Sequence, residues 1–240
     1  MDAAAFESVS TWKSPAPPPT LGDRVRLLSV AADRVLADSD GRLRVIVDGR
    51  TGSGKSTLAD ELAAIVRARG RPTLRASLDD FKRTWADARR LGYDRVSGEG
   101  YYRNAPDFVS ARDLLLAPAG PSGSGVVVLC AHDPLTGEDH RRTTVMAPDD
   151  AVLIVDSVFG MRPEYDEFWE HRIWVEVHRD VALTRGIERD VPLEGRAEAE
   201  RLHRERYQVG EDLYLVEVDP RSKADTVVDN TTFGRPVILR

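Results

Sequence analysis

The segment Gly49-Arg50-Thr51-Gly52-Ser53-Gly54-Lys55-Ser56 fits the pattern G-x-x-x-x-G-K-[ST] at every position. An apolar run, Leu43-Arg44-Val45-Ile46-Val47-Asp48, precedes it, and Leu58, Leu62 and Ile65 follow at i, i+4, i+7. A strand running into a helix is the setting this pattern requires, and its chemistry is polyphosphate binding. Gly49, Gly52 and Gly54 allow backbone conformations closed to other residues, so that successive N–H groups turn inward. Those donors and the helix N-terminus hold the phosphates, with Arg50, Thr51 and Ser53 completing the loop. Lys55 supplies a mobile cation for the β- and γ-oxygens of ATP, and Ser56 offers a hydroxyl to Mg²⁺. Thr57 reads either as an aid to Ser56 or as an ordinary first-turn threonine.

Two further positions carry acids where such a site needs them. Asp156 closes the apolar run Ala151-Val152-Leu153-Ile154-Val155, the form of an aspartate that holds the metal directly or through water. Asp79 and Asp80 follow a short strand over 72–77. One of them is placed to orient an acceptor hydroxyl and take its proton; the other reading of either is a cap on the next segment.

These residues need a scaffold of strand ends. The pattern predicts a helix over about 21–37, strands at 43–48 and 72–77, and a polar, irregular stretch over 79–105. A helix over 107–116 and strands at 126–131, 151–155 and 172–177 follow, the last entered from a short helix near 163–170. Two helices at about 180–190 and 197–209, with Pro192 and Gly195 between them, precede a last strand at 226–228. Strands separated by helices point to an α/β fold, a mostly parallel sheet with helices on both faces, whose ligands sit at the carboxyl ends of the strands. Residues 1–20, with Pro15, Pro17, Pro18 and Pro19, read as a flexible tail, and 21–240 as a single domain.

The chain has 240 residues, 41% hydrophobic and 31% charged, so it can bury a core and is not disordered as a whole. Its net charge of -6 argues against nucleic acid or a membrane surface as partner. The one cysteine, Cys130, excludes an internal disulfide and a multi-cysteine metal cage; its apolar neighbours make it a buried, inert thiol. No apolar run approaches the roughly 20 residues of a membrane helix, and the acidic N-terminus does not read as a secretory signal. The expectation is a soluble, cytoplasmic protein, with a homo-oligomer left open.

Over about 43–232 the chain resembles the uridine kinase and phosphoribulokinase family of P-loop kinases. The resemblance runs through Asp48-Gly49 to Ser56-Thr57 and then Ser77-Leu78-Asp79-Asp80-Phe81-Lys82-Arg83. It continues in Gly100-Tyr101-Tyr102-Arg103-Asn104, Val155-Asp156-Ser157-Val158-Phe159, Leu183-Thr184-Arg185-Gly186-Ile187-Glu188-Arg189-Asp190, and Lys223-Ala224-Asp225-Thr226-Val227-Val228-Asp229-Asn230. It implies a three-layer α/β/α P-loop kinase with a helical lid at about 185–212, using ATP and Mg²⁺. It also implies that Asp79 is the general base, that Asp156 stands near Mg²⁺, and that Arg185 and Arg189 clamp the transferring phosphoryl group. Arg206 and Tyr207 are weaker candidates on the same lid. Tyr102, Arg103 and His132 are the candidate acceptor contacts, although His132-Asp133-Pro134 also reads as a surface turn.

The chain departs from the nucleoside kinases of that family in three places, one being that the aromatic and the histidine that hold the pyrimidine have no clear match in Cys130-Ala131-His132-Asp133-Pro134. Arg103 and Asn104 stand where those carry an acid for ribose hydroxyls, and Lys82 stands where they carry a tyrosine. Three functions follow: a kinase of nucleoside-like hydroxyl compounds, a kinase of a sugar phosphate or nucleoside monophosphate, and a switch ATPase that changes partners on hydrolysis.

Overall fold

Strands of a parallel sheet are covered by helices on both faces and so read as continuous apolar runs. The computed structural model describes residues 3–13 and 22–240. In chain order its elements are β1 (Ala5–Glu7), α1 (Gly22–Ala37), β2 (Leu43–Gly49), α2 (Lys55–Ala68), β3 (Thr73–Ser77), α3 (Trp85–Leu91), α4 (Gly98–Asn104), α5 (Phe108–Ala111), α6 (Ala117–Ala119), β4 (Val126–Val128), β5 (Thr144–Met146), β6 (Val152–Ser157), β7 (His171–Glu176), α7 (Arg179–Glu194), α8 (Arg196–Arg201), α9 (Gln208–Val218), α10 (Pro220–Lys223), β8 (Thr226–Asp229) and β9 (Val237–Ile238). Turns of π-helix at Arg112–Leu116 and Leu202–Tyr207 join α5 to α6 and α8 to α9. The main sheet has the order β1-β3-β6-β2-β7-β8-β9, parallel throughout except for β8–β9.

Successive strand residues point to opposite faces, and the two cores divide accordingly. Val45 and Val47 of β2 pack with Leu28 and Val35 of α1 and Leu58 and Leu62 of α2. Ile46 faces the other way, into a core with Leu74, Leu115, Leu153, Trp174 and Tyr214. The expected three-layer α/β/α arrangement is therefore present. Register then places the chemistry: Asp156 lies level with Ser77 of β3 and Val47 of β2, so the ends of three adjacent strands converge on one edge.

The structure corrects several readings. Residues 126–131 are not a strand of the main sheet; only Val126–Val128 is strand, paired antiparallel with β5 as a separate ribbon. An apolar run reports burial and not the identity of its partner. The stretch 79–105 is not irregular: α3 and α4 are seven-residue helices, capped by the side chains of Thr84 and Ser97. Gly98 and Gly100 hid α4 in the sequence, and they are there for close packing. A Cβ on Gly98 would lie 2.5 Å from Cβ of Val209, and one on Gly100 would lie 2.5 Å from the Asp94 carbonyl oxygen. The helix expected over 197–209 runs on through α9 to Val218.

The N-terminal segment departs most from expectation. Instead of a tail, β1 pairs in parallel with β3 at the sheet edge. Beyond it, the hydroxyls of Ser8 and Ser10 donate to Asp80 (2.9 and 2.8 Å), and the Thr11 amide donates to Asp133 (2.5 Å). The proline-rich segment lies outside the described residues. Among the described residues no helix is long and apolar enough to cross a membrane.

Helix α7 presses on the glycine loop so closely that a Cβ at Gly52, where φ is +81°, would lie 2.1 Å from the Ala182 carbonyl oxygen. Gly52→Ala is therefore expected to cost roughly 2 kcal/mol or more in urea unfolding, from strain and clash together. Asp80 makes a second prediction. It is 2% exposed, and burial pushes its pKa up to about 7 against the bonds from Ser10 and Ser8. A raised folded-state pKa contributes stability that is complete below the unfolded value of about 4 and is lost as pH rises to about 7. Asp80→Asn stays neutral and does not lose it. The variant's stability relative to the parent should rise by up to about 4 kcal/mol between about pH 4 and pH 8. A difference that stays flat with pH would show that the carboxyl is not held neutral.

Candidate active site

The glycine loop is supported from its outer side. Asp48, fully buried at the end of β2, accepts from the Gly49 amide (2.7 Å), the Met161 amide (3.1 Å) and the Tyr214 hydroxyl (2.6 Å). Burial pushes its pKa up to about 7 despite these bonds. Glu211 of α9 accepts from the Thr51 amide (2.8 Å) and pairs with Arg50, which also reaches Asp212. Asn230, just past β8, donates to the Ser53 carbonyl (2.7 Å). Gly54 begins α2 at φ +84° and ψ 20° with no side-chain cap. The first N–H groups of that helix thus lack intrahelical acceptors and open toward the concave side of the loop.

The donor set fits a polyphosphate. The Ser53 hydroxyl is buried without a partner among the described residues. Lys55 is 7% exposed, and its ammonium has no hydrogen-bond or ion-pair partner among the described residues. Burial lowers its pKa, while the charges of Asp156 and Asp79 work against that shift. A cation held in this way lacks only an anion. The set also fits a hard cation with few protein ligands. Ser56 donates to Asp156 Oδ2 (2.7 Å), and Arg75 holds Asp156 Oδ1 (2.7 Å). No cluster of three or more His, Cys, Asp or Glu exists among the described residues. Mg²⁺, which keeps waters and takes substrate phosphates as ligands, suits one hydroxyl and one carboxylate.

Asp79 caps no helix; it lies in the 3₁₀ turn Leu78–Phe81, which Ser77 caps. Burial opposes its ionisation, but Lys82 at 2.7 Å, then Lys55 and Arg189, outweigh burial and hold its pKa below the usual carboxylate range. It is an anion at neutral pH, able to orient a hydroxyl. Asp80, its neighbour, is occupied by Ser8 and Ser10 instead.

Two cavities meet at these residues. One, of about 320 Å³, is lined by Lys55, Ser56, Arg75, Asp79, Asp156 and Trp12. The other, of about 470 Å³, shares Lys55, Asp79, Arg189 and Trp12 and extends past Lys82 and Tyr101 to Arg95 and Arg206. The structure thus brings together Lys55, Ser56, Asp79, Asp156 and Arg189, the last of which also pairs with Asp190 (2.7 Å) and lies over the Trp12 ring at 5.5 Å. Gly49, Gly52, Ser53 and Gly54 form the loop, and Thr57 lies in the first turn of α2.

Other candidates fall elsewhere. Arg185 lines neither cavity; it donates to the carbonyls of Asn230 (3.1 Å) and Thr231 (2.7 Å). Tyr102 packs among Phe159 and Tyr214, and Arg103 is a surface residue paired with Glu99 and Glu217. Each residue along a helix turns by about 100°, so on α4 it is Tyr101, one position earlier, that faces the cavity. His132 lines neither cavity, while Pro134 and Leu135 after it line the larger one. Sequence reasoning did not single out Trp12, Trp85 or Arg95. Trp12 falls in the stretch read as a tail, three residues before Pro15, and Trp85 and Arg95 fall in the stretch read as irregular.

No protein-family model and no curated protein sequence matches the chain. Solved structures do. One, described as a possible uridine kinase from Bacillus stearothermophilus, is 24% identical with a TM-score of 0.63, over 83% of this chain and 96% of that one. Another, named as a candidate fructose transport system kinase from Silicibacter sp. TM1040, is 22% identical with a TM-score of 0.65, over 79% of this chain and 94% of that one. At these identities the likeness speaks for architecture, and the chain has the fold of the uridine kinase and phosphoribulokinase-like P-loop kinases.

Proposed function

We propose that the protein is an ATP- and Mg²⁺-dependent kinase that transfers the γ-phosphoryl group to a hydroxyl of a small molecule, the nucleoside class being the one suggested by resemblance. The observation that carries this reading is the buried, unpartnered Lys55 ammonium set between Asp156 and Asp79 at the junction of two cavities. One of the neighbouring folds is described as a possible uridine kinase and the other as a candidate fructose transport system kinase, and both names are those of kinases.

In this reading the loop amides and Lys55 grip the phosphates of ATP, and Ser56 and Asp156 would hold Mg²⁺, which supplies charge neutralisation when bound. Asp79 orients the acceptor hydroxyl. Arg189, which borders both cavities, positions the transferring group. The segment 185–212 closes over the cleft and excludes water, which would otherwise hydrolyse ATP. Arg50 of the loop and Arg179 at the start of α7 both bind Asp212, so the C-terminal end of this segment is tied beside the loop. A second cavity with a carboxylate at its base favours transfer to an acceptor over a switch ATPase, which has no use for one.

Lys55→Ala is expected to lower kcat/KM by at least about a hundredfold. Asp79→Asn is expected to lower kcat by about 10²- to 10⁴-fold while calorimetry finds ATP affinity within a few fold of the parent. Normal phosphorylation of the acceptor by Asp79→Asn would sink the base assignment. Rapid ATP turnover by the parent with no acceptor present would favour the switch ATPase.

A further inference from the structure

Arg95 and Arg206 are buried cations that the reaction as described does not use. They are 7% and 9% exposed, and both line the 470 Å³ cavity. Among the described residues neither has a carboxylate within ion-pair distance, although nearly every other arginine near the cleft has one. Nε and Nη2 of Arg206 donate to the Arg95 carbonyl (3.2 and 3.0 Å). Nη1 of Arg95 donates to the Arg83 carbonyl, and its Nε is buried without a partner among the described residues. Burial and the adjacent Arg206 charge push the pKa of Arg95 down to about 10.

Aromatic rings hold the pair in place. Arg95 lies 4.4 Å and Arg206 5.6 Å from the centroid of Trp85, and Arg206 lies 4.5 Å from that of Tyr101. Lys82, the partner of Asp79, lies 4.9 Å from the same Tyr101 centroid. The path from the proposed base to the two arginines is therefore one aromatic ring long. The four acids that line this cavity do not pair with the two arginines: Asp79 is taken by Lys82, Asp190 by Arg189 and His203, and Glu198 by Arg201, and Glu194 makes no ion pair among the described residues. Two buried guanidiniums without counter-charge are costly unless an anion joins them. Their planar donor forks match phosphate oxygens.

We propose that Arg95 and Arg206 form a subsite for a phosphate monoester on the acceptor, so that the molecule phosphorylated is itself a phosphorylated alcohol, a sugar phosphate or a nucleoside monophosphate, rather than a neutral nucleoside. This deepens the kinase reading and rests on it. Arg103, an acceptor contact expected from sequence, is not part of this subsite, since it lies on the surface with Glu99 and Glu217.

The test is calorimetry on the full chain saturated with a non-hydrolysable ATP analogue and Mg²⁺. The probes are fructose 6-phosphate against fructose and uridine 5′-phosphate against uridine, each pair followed by turnover with ATP. Binding of one phosphorylated member at least tenfold tighter than its parent alcohol is expected, and which pair responds separates the two sources of the phosphate. Arg206→Gln should abolish that preference and leave the affinity for the parent alcohol unchanged, with Arg206→Lys restoring part of it. Arg95→Gln, which leaves its carbonyl in place, should act likewise if one substitution unfolds the protein. Equal binding of both members of each pair, or loss of both alike in the variants, overturns the proposal. Phosphate-dependent binding without any transfer would support the subsite while removing the kinase reading.

Discussion

A buried ammonium without a partner sets the terms for the rest of the site. Lys55 sits where solvent scarcely reaches, and its lowered pKa records what burial costs its charge. The two nearest acids could have quenched it. Each is committed elsewhere: Asp156 to Arg75 and Ser56, and Asp79 to Lys82. They stabilise the ammonium at a distance and leave its protons free. A phosphate brought within reach would complete the arrangement, and in low dielectric that interaction is strong.

Keeping that cation in place requires a rigid loop, and the loop is held by groups far apart in sequence. Asp48 ties it to Met161 and Tyr214, Glu211 ties it to α9, and Asn230 ties it to the end of β8. Asn230 also accepts from the buried Arg24 of α1 (2.8 Å). Helix α7 crosses against the loop, and Gly186 admits the His203 ring where a Cβ would lie 2.3 Å from it. The elements that carry Arg189 and Arg206 are thus braced on the loop that would hold the phosphates.

Legibility followed the range of the interactions. The loop from Gly49 to Ser56 is local, and its residue types state its chemistry without reference to the rest of the fold. Asp156 and Asp79 were legible because strand ends in a parallel sheet share one edge: Asp156 is level with Ser77, and Asp79 follows Ser77 by two residues. Tyr102 in place of Tyr101 was an error of one residue, which on a helix is a change of face. Arg185 and Arg189 share a helical side by spacing. In the fold one is drawn to the Asn230 and Thr231 carbonyls and the other to the cleft, because neighbours rather than periodicity decide where long side chains end. β1 could not be read at all: three residues carry too little pattern, and their stability comes from the edge of β3.

Charge distribution joins these parts. The chain carries a net charge of -6, yet six basic side chains against four acidic ones line the larger cavity. In the smaller one the acid Asp80 is largely neutral up to about pH 7, which leaves basic groups in excess there as well. An acidic surface around a basic cleft repels polyanions in general and admits them at one place. Tight burial of Arg95, Arg206 and Lys55 keeps that local field strong, because little water screens it. A neutral acceptor would draw nothing from the far end of this field, whereas an acceptor with its own phosphate would be held at both ends, with its hydroxyl between Asp79 and the donor.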